Sequence, residues 1–411
     1  AMGRQAAAGK AAKNEARGPK AKAGAGPANA LLVGARVTLL LFILGFGYAA
    51  STAEVFHSSA EGKMHILPRF VFFIVAQAAA TELFVTLLLQ LGRWLCGETA
   101  SAAWEPTREE LAVNDPKLPW PPAHLLSGEL RALASKPGQP FFLNHVSGRH
   151  RCKDACMRVG MNLASLLVVC FTCRCLDGRS LASIGLALDG ALIVDMSAGL
   201  AVGFGIVFFI FAAELALGWI SFLRCFEVLD PSEGFAACIF WDVVFHLNVA
   251  LNEELPLRGW MLHNLADAFA AHFSAPPLLA IFLAVLTESG FFVTMHLQSP
   301  GGSRFQSMLN IFVGGIAAGL NVMLTGGRLG FALGWHFGWN ITMGNVFGLS
   351  TSGIPISATA VSVLPHPEKR ALHGGEFGPE GGLAAPLAYG LGVLLLWAMY
   401  GLPDWAARAP L

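Results

Sequence analysis

FAACIFWDVVFHLNVALNEELPLRGWML, residues 235–262, decides how the rest of the chain is read. It is apolar enough and long enough to cross a bilayer as a helix, for which roughly 17 to 25 residues are needed. Yet Glu253, Glu254 and Arg258 lie inside it. A charge at that depth costs about 2.5 to 3.5 kcal/mol even on the mildest scale, so such residues are functional candidates by default. The bland alternative is that the three pair with one another and hold helices together. Helix geometry separates them: Glu254 and Arg258 are four apart and share a face, whereas Glu253 is turned by about 100°. An ion pair can therefore neutralise Glu254 and Arg258 and leave Glu253 facing something else. Pro256 removes a backbone donor between them and loosens the helix where a site needs room.

Working outward, the chain has 411 residues, 55% of them apolar and 13% charged. That balance excludes an ordinary soluble domain. Apolar runs recur near 37–56, 70–92, 159–176, 194–221, 236–262, 276–298, 305–325, 329–350 and 383–401. The fold expected is all-α, a polytopic membrane bundle of about eight or nine helices, because lipid offers the backbone no hydrogen-bond partner. Glycines inside the runs, such as Gly199, Gly203, Gly205, Gly315 and Gly319, read as close helix contacts. Glu82 and Glu214, each alone in an apolar run, read as neutral or hydrogen-bonded to a neighbouring helix.

Four regions follow from composition: 1–30, 31–96, 97–156 and 157–403. The first is basic and acid-poor, and reads as a disordered tail or a targeting remnant. The second holds N-terminal membrane helices. The third is polar, broken by six prolines between Pro116 and Pro140, and reads as an extramembrane cap with a short helix near GELRALAS. The fourth is the membrane core. Basic residues crowd both the tail and the cap, which places the two on the cytoplasmic or equivalent side and is compatible with docking into a larger membrane complex. His145, His150, Cys152 and Cys156 lie close together but lack a Cys-x-x-Cys pair, so a zinc site there is disfavoured. The eight cysteines form no disulfide framework, and Cys170, Cys173 and Cys175 read as small buried thiols. No nucleic-acid module is visible.

Three histidines fall at membrane depth: His246, seven residues before Glu253 and on nearly the same face, His296 in FFVTMHL, and His336 in LGWHFGWN, with Asn340 one turn further on. A carboxylate and an imidazole can activate water, and a histidine with an asparagine can donate to the oxyanion that forms. Asp242 and His246, in line with Glu253, either back the site as a supporting row and proton path or pair structurally.

Glu253-Glu254-x-x-x-Arg258, Phe292-x-x-x-His296 and His336-x-x-x-Asn340, in that order, resemble the CPBP family of intramembrane proteases, the Abi or type II CAAX prenyl endopeptidase group. The resemblance spans about 178–395 and includes GRSLASIGLALDG and HGGEFGPEGGL. It implies that Glu253 is the general base, that His296 shares that work, that Glu254 and Arg258 orient, that Phe292 packs beside the site, and that His336 and Asn340 form the oxyanion pocket. It also implies a metal-dependent alternative in which Glu253, His296 and His336 hold zinc; otherwise no cofactor is expected. Pro256 in the first motif and the 97–156 insertion depart from the family pattern and leave the substrate open among prenylated termini, small peptides and membrane-protein ends. Two other functions stay in view: a non-proteolytic membrane scaffold or assembly subunit keeping the fold, and an ion-coupled transporter, which the lack of an evident inverted repeat ranks last. The compartment is a bacterial inner membrane or an organelle membrane such as a plastid's.

Overall fold

A computed structural model of the chain describes residues 26–52, 57–58, 63–96, 151–228, 234–297, 299, 304–353 and 356–401. Residues 1–25 of the tail and residues 97–150 of the cap, with the GELRALAS segment, His145 and His150, lie outside these, as do the side chains of Cys152 and Cys156, while residues 26–30 of the tail begin α1. Ten helices are used below: α1 Gly26–Thr52, α2 Ile66–Cys96, α3 Arg151–Phe171, α4 Gly190–Ala216, α5 Phe235–Glu254, α6 Leu262–Phe273, α7 Pro277–His296, α8 Phe305–Leu324, α9 Gly330–Ile341 and α10 Ala384–Tyr400. Among the described residues, seven helical segments are long and apolar enough to span a membrane, and α10 is a shorter apolar helix. This is an integral membrane protein with an all-α bundle.

Two features depart from the simple pattern of spans. The apolar run at 329–350 does not make a full span. It folds as α9, 12 residues long, followed by a π-helical turn, Thr342–Val346, and it is buried along most of its length. Glycine is the reason. Gly330, Gly334 and Gly338 recur every four residues on α9 and face Leu192, Met196 and Leu200 of α4, while Gly199 and Gly203 of α4 face Phe331 and Trp335 of α9, so that backbone lies on backbone: a Cβ at Gly334 would stand 2.0 Å from the Met196 carbonyl oxygen, and one at Gly199 would stand 2.2 Å from that of Phe331. Small residues at this spacing let membrane helices approach closely. Gly205 has open space beside it and takes no part. The second feature is a two-stranded antiparallel sheet, β1 Ile220–Val228 with β2 Ala358–Pro365, pairing Ile220 with Pro365 and Val228 with Ala358 around an irregularity between Phe222 and Arg224.

Packing forms two apolar cores. One joins α2 and α3 to the π turn after α5, to α6 and α7, with Trp260 stacked on Phe73 at 4.2 Å. The other joins α4, α8, α9 and α10, and includes Trp335, Trp339 and Tyr389. A buried polar knot fastens the first: Asp177 accepts from Arg69 (3.1 Å), Trp260 (2.8 Å) and Asn264 (3.1 Å). Buried polar atoms this well matched contribute to one defined arrangement of helices. Glu82 is paired with Arg36 at 2.8 Å, whereas Glu214 is fully buried with no hydrogen bond to either carboxylate oxygen among the described residues.

Candidate active site

The chain after α5 does not continue as an α-helix. Leu255–Met261 is a π-helical turn that begins where Pro256 deprives the helix of a donor. Arg258 lies in that turn, fully buried. Its Nη1 is 3.4 Å from Glu254 Oε1, as the four-residue spacing predicts, and its guanidinium lies 4.2 Å from the centre of the Phe292 ring.

Glu254 has a closer partner than Arg258. His336 Nδ1 lies 2.7 Å from the same Oε1. A carboxylate can only accept, so Nδ1 donates, and the other ring nitrogen, Nε2, faces Glu253 Oε2 at 3.9 Å. His336 therefore sits between the two adjacent glutamates, which the turn between them aims at different nitrogens of one ring. His296 is fixed in a related way. Its Nδ1 is 2.9 Å from the Phe292 carbonyl oxygen, which can only accept, so its Nε2 keeps a lone pair. Phe292 also packs edge-on to that imidazole at 4.6 Å.

Glu253, Glu254, Arg258, Phe292, His296, His336 and Asn340 all line one cleft. The Asn340 side chain is nearly buried and makes no hydrogen bond among the described residues. The structure thus brings the three spaced motifs together from α5, α7 and α9. Asp242 and His246 do not line this cleft. Asp242 binds the start of β2 instead, accepting from the Ser357 hydroxyl (2.6 Å) and backbone N–H (2.8 Å) and from Asn345 (2.6 Å). His246 is wholly buried beside Phe245.

Two acids at the site are absent from the sequence reading. Glu288 on α7 is fully buried with Oε1 3.4 Å from Arg258 Nε. It lies four residues before Phe292 and eight before His296, so helical spacing alone puts it on their face. Glu380 lines the cleft from the loop before α10, where its carboxylate accepts from Trp339 Nε1 (3.0 Å) and the Ser352 hydroxyl (2.5 Å). Burial pushes its carboxyl up from the usual value, against those two hydrogen bonds. Glu380 sits within HGGEFGPEGGL, but no periodicity ties a loop residue to a helix forty positions away.

The zinc alternative can be tested on the same geometry. Among the described residues no three His, Cys, Asp or Glu side chains converge as a metal-holding group. Glu253, His296 and His336 present suitable donors but not a ready coordination shell, and no step below passes through a metal.

Comparison with known proteins bears on the same stretch. Residues 235–342 match the family model described as Rce1-like, Type II CAAX prenyl endopeptidase Rce1-like. No curated protein and no solved structure matches the chain. The matched residues run from α5 to α9 and carry Glu253, Glu254, Arg258, His296, His336 and Asn340. The similarity to the type II CAAX prenyl endopeptidase Rce1-like family therefore covers the stretch that holds the three motifs.

Proposed function

We propose that this protein is an intramembrane endopeptidase that hydrolyses a peptide bond with water activated by Glu253 and His296. The observation that carries the reading is the convergence of three sequence-distant motifs, with two histidines held in defined orientation, on one cleft inside a membrane bundle. In this mechanism water enters the cleft and hydrogen-bonds to Glu253 and to the free Nε2 of His296. It attacks the scissile carbonyl carbon while its proton passes to the Glu253 carboxylate. The electron pair of the C=O bond moves to oxygen. The resulting oxyanion accepts hydrogen bonds from the Asn340 amide and from Nε2–H of a protonated His336, whose ring is aligned by Glu254. Collapse re-forms C=O, breaks the C–N bond and returns the proton from Glu253 to the leaving nitrogen, so the site is regenerated with no covalent intermediate. Losing one oxyanion donor of this kind costs about 10² to 10³ in kcat.

The substrate enters from the bilayer or its surface as a peptide or a membrane-protein end. The basic tail and cap would dock substrate or a neighbouring subunit on the cytoplasmic or equivalent side, in a bacterial inner membrane or an organelle membrane such as a plastid's. The test is cleavage of a library of prenylated and unprenylated peptides by the purified protein in liposomes, wild type against Glu253→Ala and His296→Ala, with and without a chelator. Cleavage lost in both variants supports the reading, and the chelator decides whether a metal takes part. Wild type and variants equally inert, all folded, refute it in favour of a scaffold or assembly subunit on the same fold.

A further inference from the structure

The three motifs place one guanidinium among two glutamates, but the structure places it among three. Arg258 is 3.4 Å from Glu254 through Nη1 and 3.4 Å from Glu288 through Nε, and the side chains of Arg258 and Glu288 are both fully buried. Glu254 Oε1 is also the atom that holds His336 at 2.7 Å. One oxygen thus serves two donors, and the tighter bond goes to the histidine.

We infer that Glu288 is a positioning residue: it holds Arg258 from the far side and so keeps the guanidinium from closing on Glu254 and displacing His336. This rests on the endopeptidase reading above. A buried guanidinium with only one acceptor in reach contracts toward about 2.8 Å, the ordinary length of a charge-assisted bond. Here that contraction would bring Arg258 onto the oxygen that His336 uses. Two further features fit the role. Glu288, Phe292 and His296 repeat every four residues on α7, so Arg258 is bracketed by the acid on one turn and by the Phe292 ring on the next. On α8, Gly319 makes the room: a Cβ there would stand 3.1 Å from Glu288 Oε1 and 2.9 Å from the Val285 methyls.

The test compares E288M, which keeps the volume and removes the acceptor, with E288Q, which keeps an acceptor oxygen, by kcat and KM on a cleaved peptide. For E288M kcat is expected to fall at least about 10-fold with KM within about 3-fold of wild type, because only the reacting geometry is disturbed. E288Q should return to within about 3-fold of the wild-type kcat. Wild-type kcat in E288M overturns the assignment, as does a rise in KM at unchanged kcat, which marks a binding role. A wild type that cleaves nothing fails the endopeptidase reading by itself, and the structure of E288M then decides: Arg258 drawn onto Glu254 supports the assignment, and an unmoved Arg258 overturns it. Should E288M not fold, the structure of E288Q decides in its place. Arg258 Nε held on the amide oxygen at position 288 supports the role. Arg258 withdrawn from that oxygen, with Glu254 and His336 still at their present distance, overturns it.

Discussion

Replacing Gly334 by alanine adds one methyl group, and its expected effect reaches the cleft. That carbon would lie 2.0 Å from the Met196 carbonyl oxygen and 2.7 Å from the Met196 carbonyl carbon. A carbon and a carbonyl oxygen rest no closer than about 3.3 Å, so α9 and α4 must separate by roughly 1.3 Å, because the obstacle is backbone and cannot rotate away. His336 and Asn340 ride on α9, two and six residues beyond Gly334. A shift of that size, to the extent that it runs along the 2.7 Å His336 to Glu254 bond, would stretch it by up to the same amount, to at most about 4 Å, outside hydrogen-bond range. Overpacking of a well-filled contact costs about 1 to 3 kcal/mol, and a misplacement near 1 Å costs about 10²-fold in rate. Melting in detergent and peptide cleavage should therefore both fall, the second more steeply. Gly205→Ala on α4, where a Cβ meets open space, is the control and should change neither. If Gly334→Ala cleaves and melts as wild type does, the backbone contact between α4 and α9 does not set the cleft.

Asp177→Ala leaves Arg69 buried without the carboxylate it pairs with at 3.1 Å, and removes the acceptor for Trp260 and Asn264. Breaking a buried pair from one side costs about 3 to 5 kcal/mol, which should appear as a large drop in melting temperature in detergent, with the Glu254 to His336 contact undisturbed in any protein that still folds. Glu380 gives a pH dependence. Because burial raises its carboxyl in the folded state, its contribution to stability is full below the ordinary glutamate value and is lost as pH rises through the raised folded value. Glu380→Gln should therefore flatten the fall in melting temperature as pH rises above the ordinary glutamate value, relative to wild type. An unchanged slope would show that Glu380 is as readily ionised folded as unfolded.

Much of this protein is legible in the sequence because a bilayer leaves few choices. The apolar runs and the need to satisfy backbone groups internally give the bundle, and four-residue spacing on single helices gives Glu254 with Arg258, Phe292 with His296, and His336 with Asn340. What lies within one helix is fixed by its period. Contacts between helices are not. That His336 takes the short bond from Glu254, that Arg258 is shared with Glu288, that Glu380 reaches the cleft from a loop, and that Asp242 turns to β2 all depend on how close two backbones come. That distance is set by glycines of α4 and α9 that lie against each other's helix and by Gly315 and Gly319 of α8, which lie against α7, where a single Cβ would crowd the contact. The pattern of residues along the chain determined which groups could react; the approach of one backbone to another decided which of them meet.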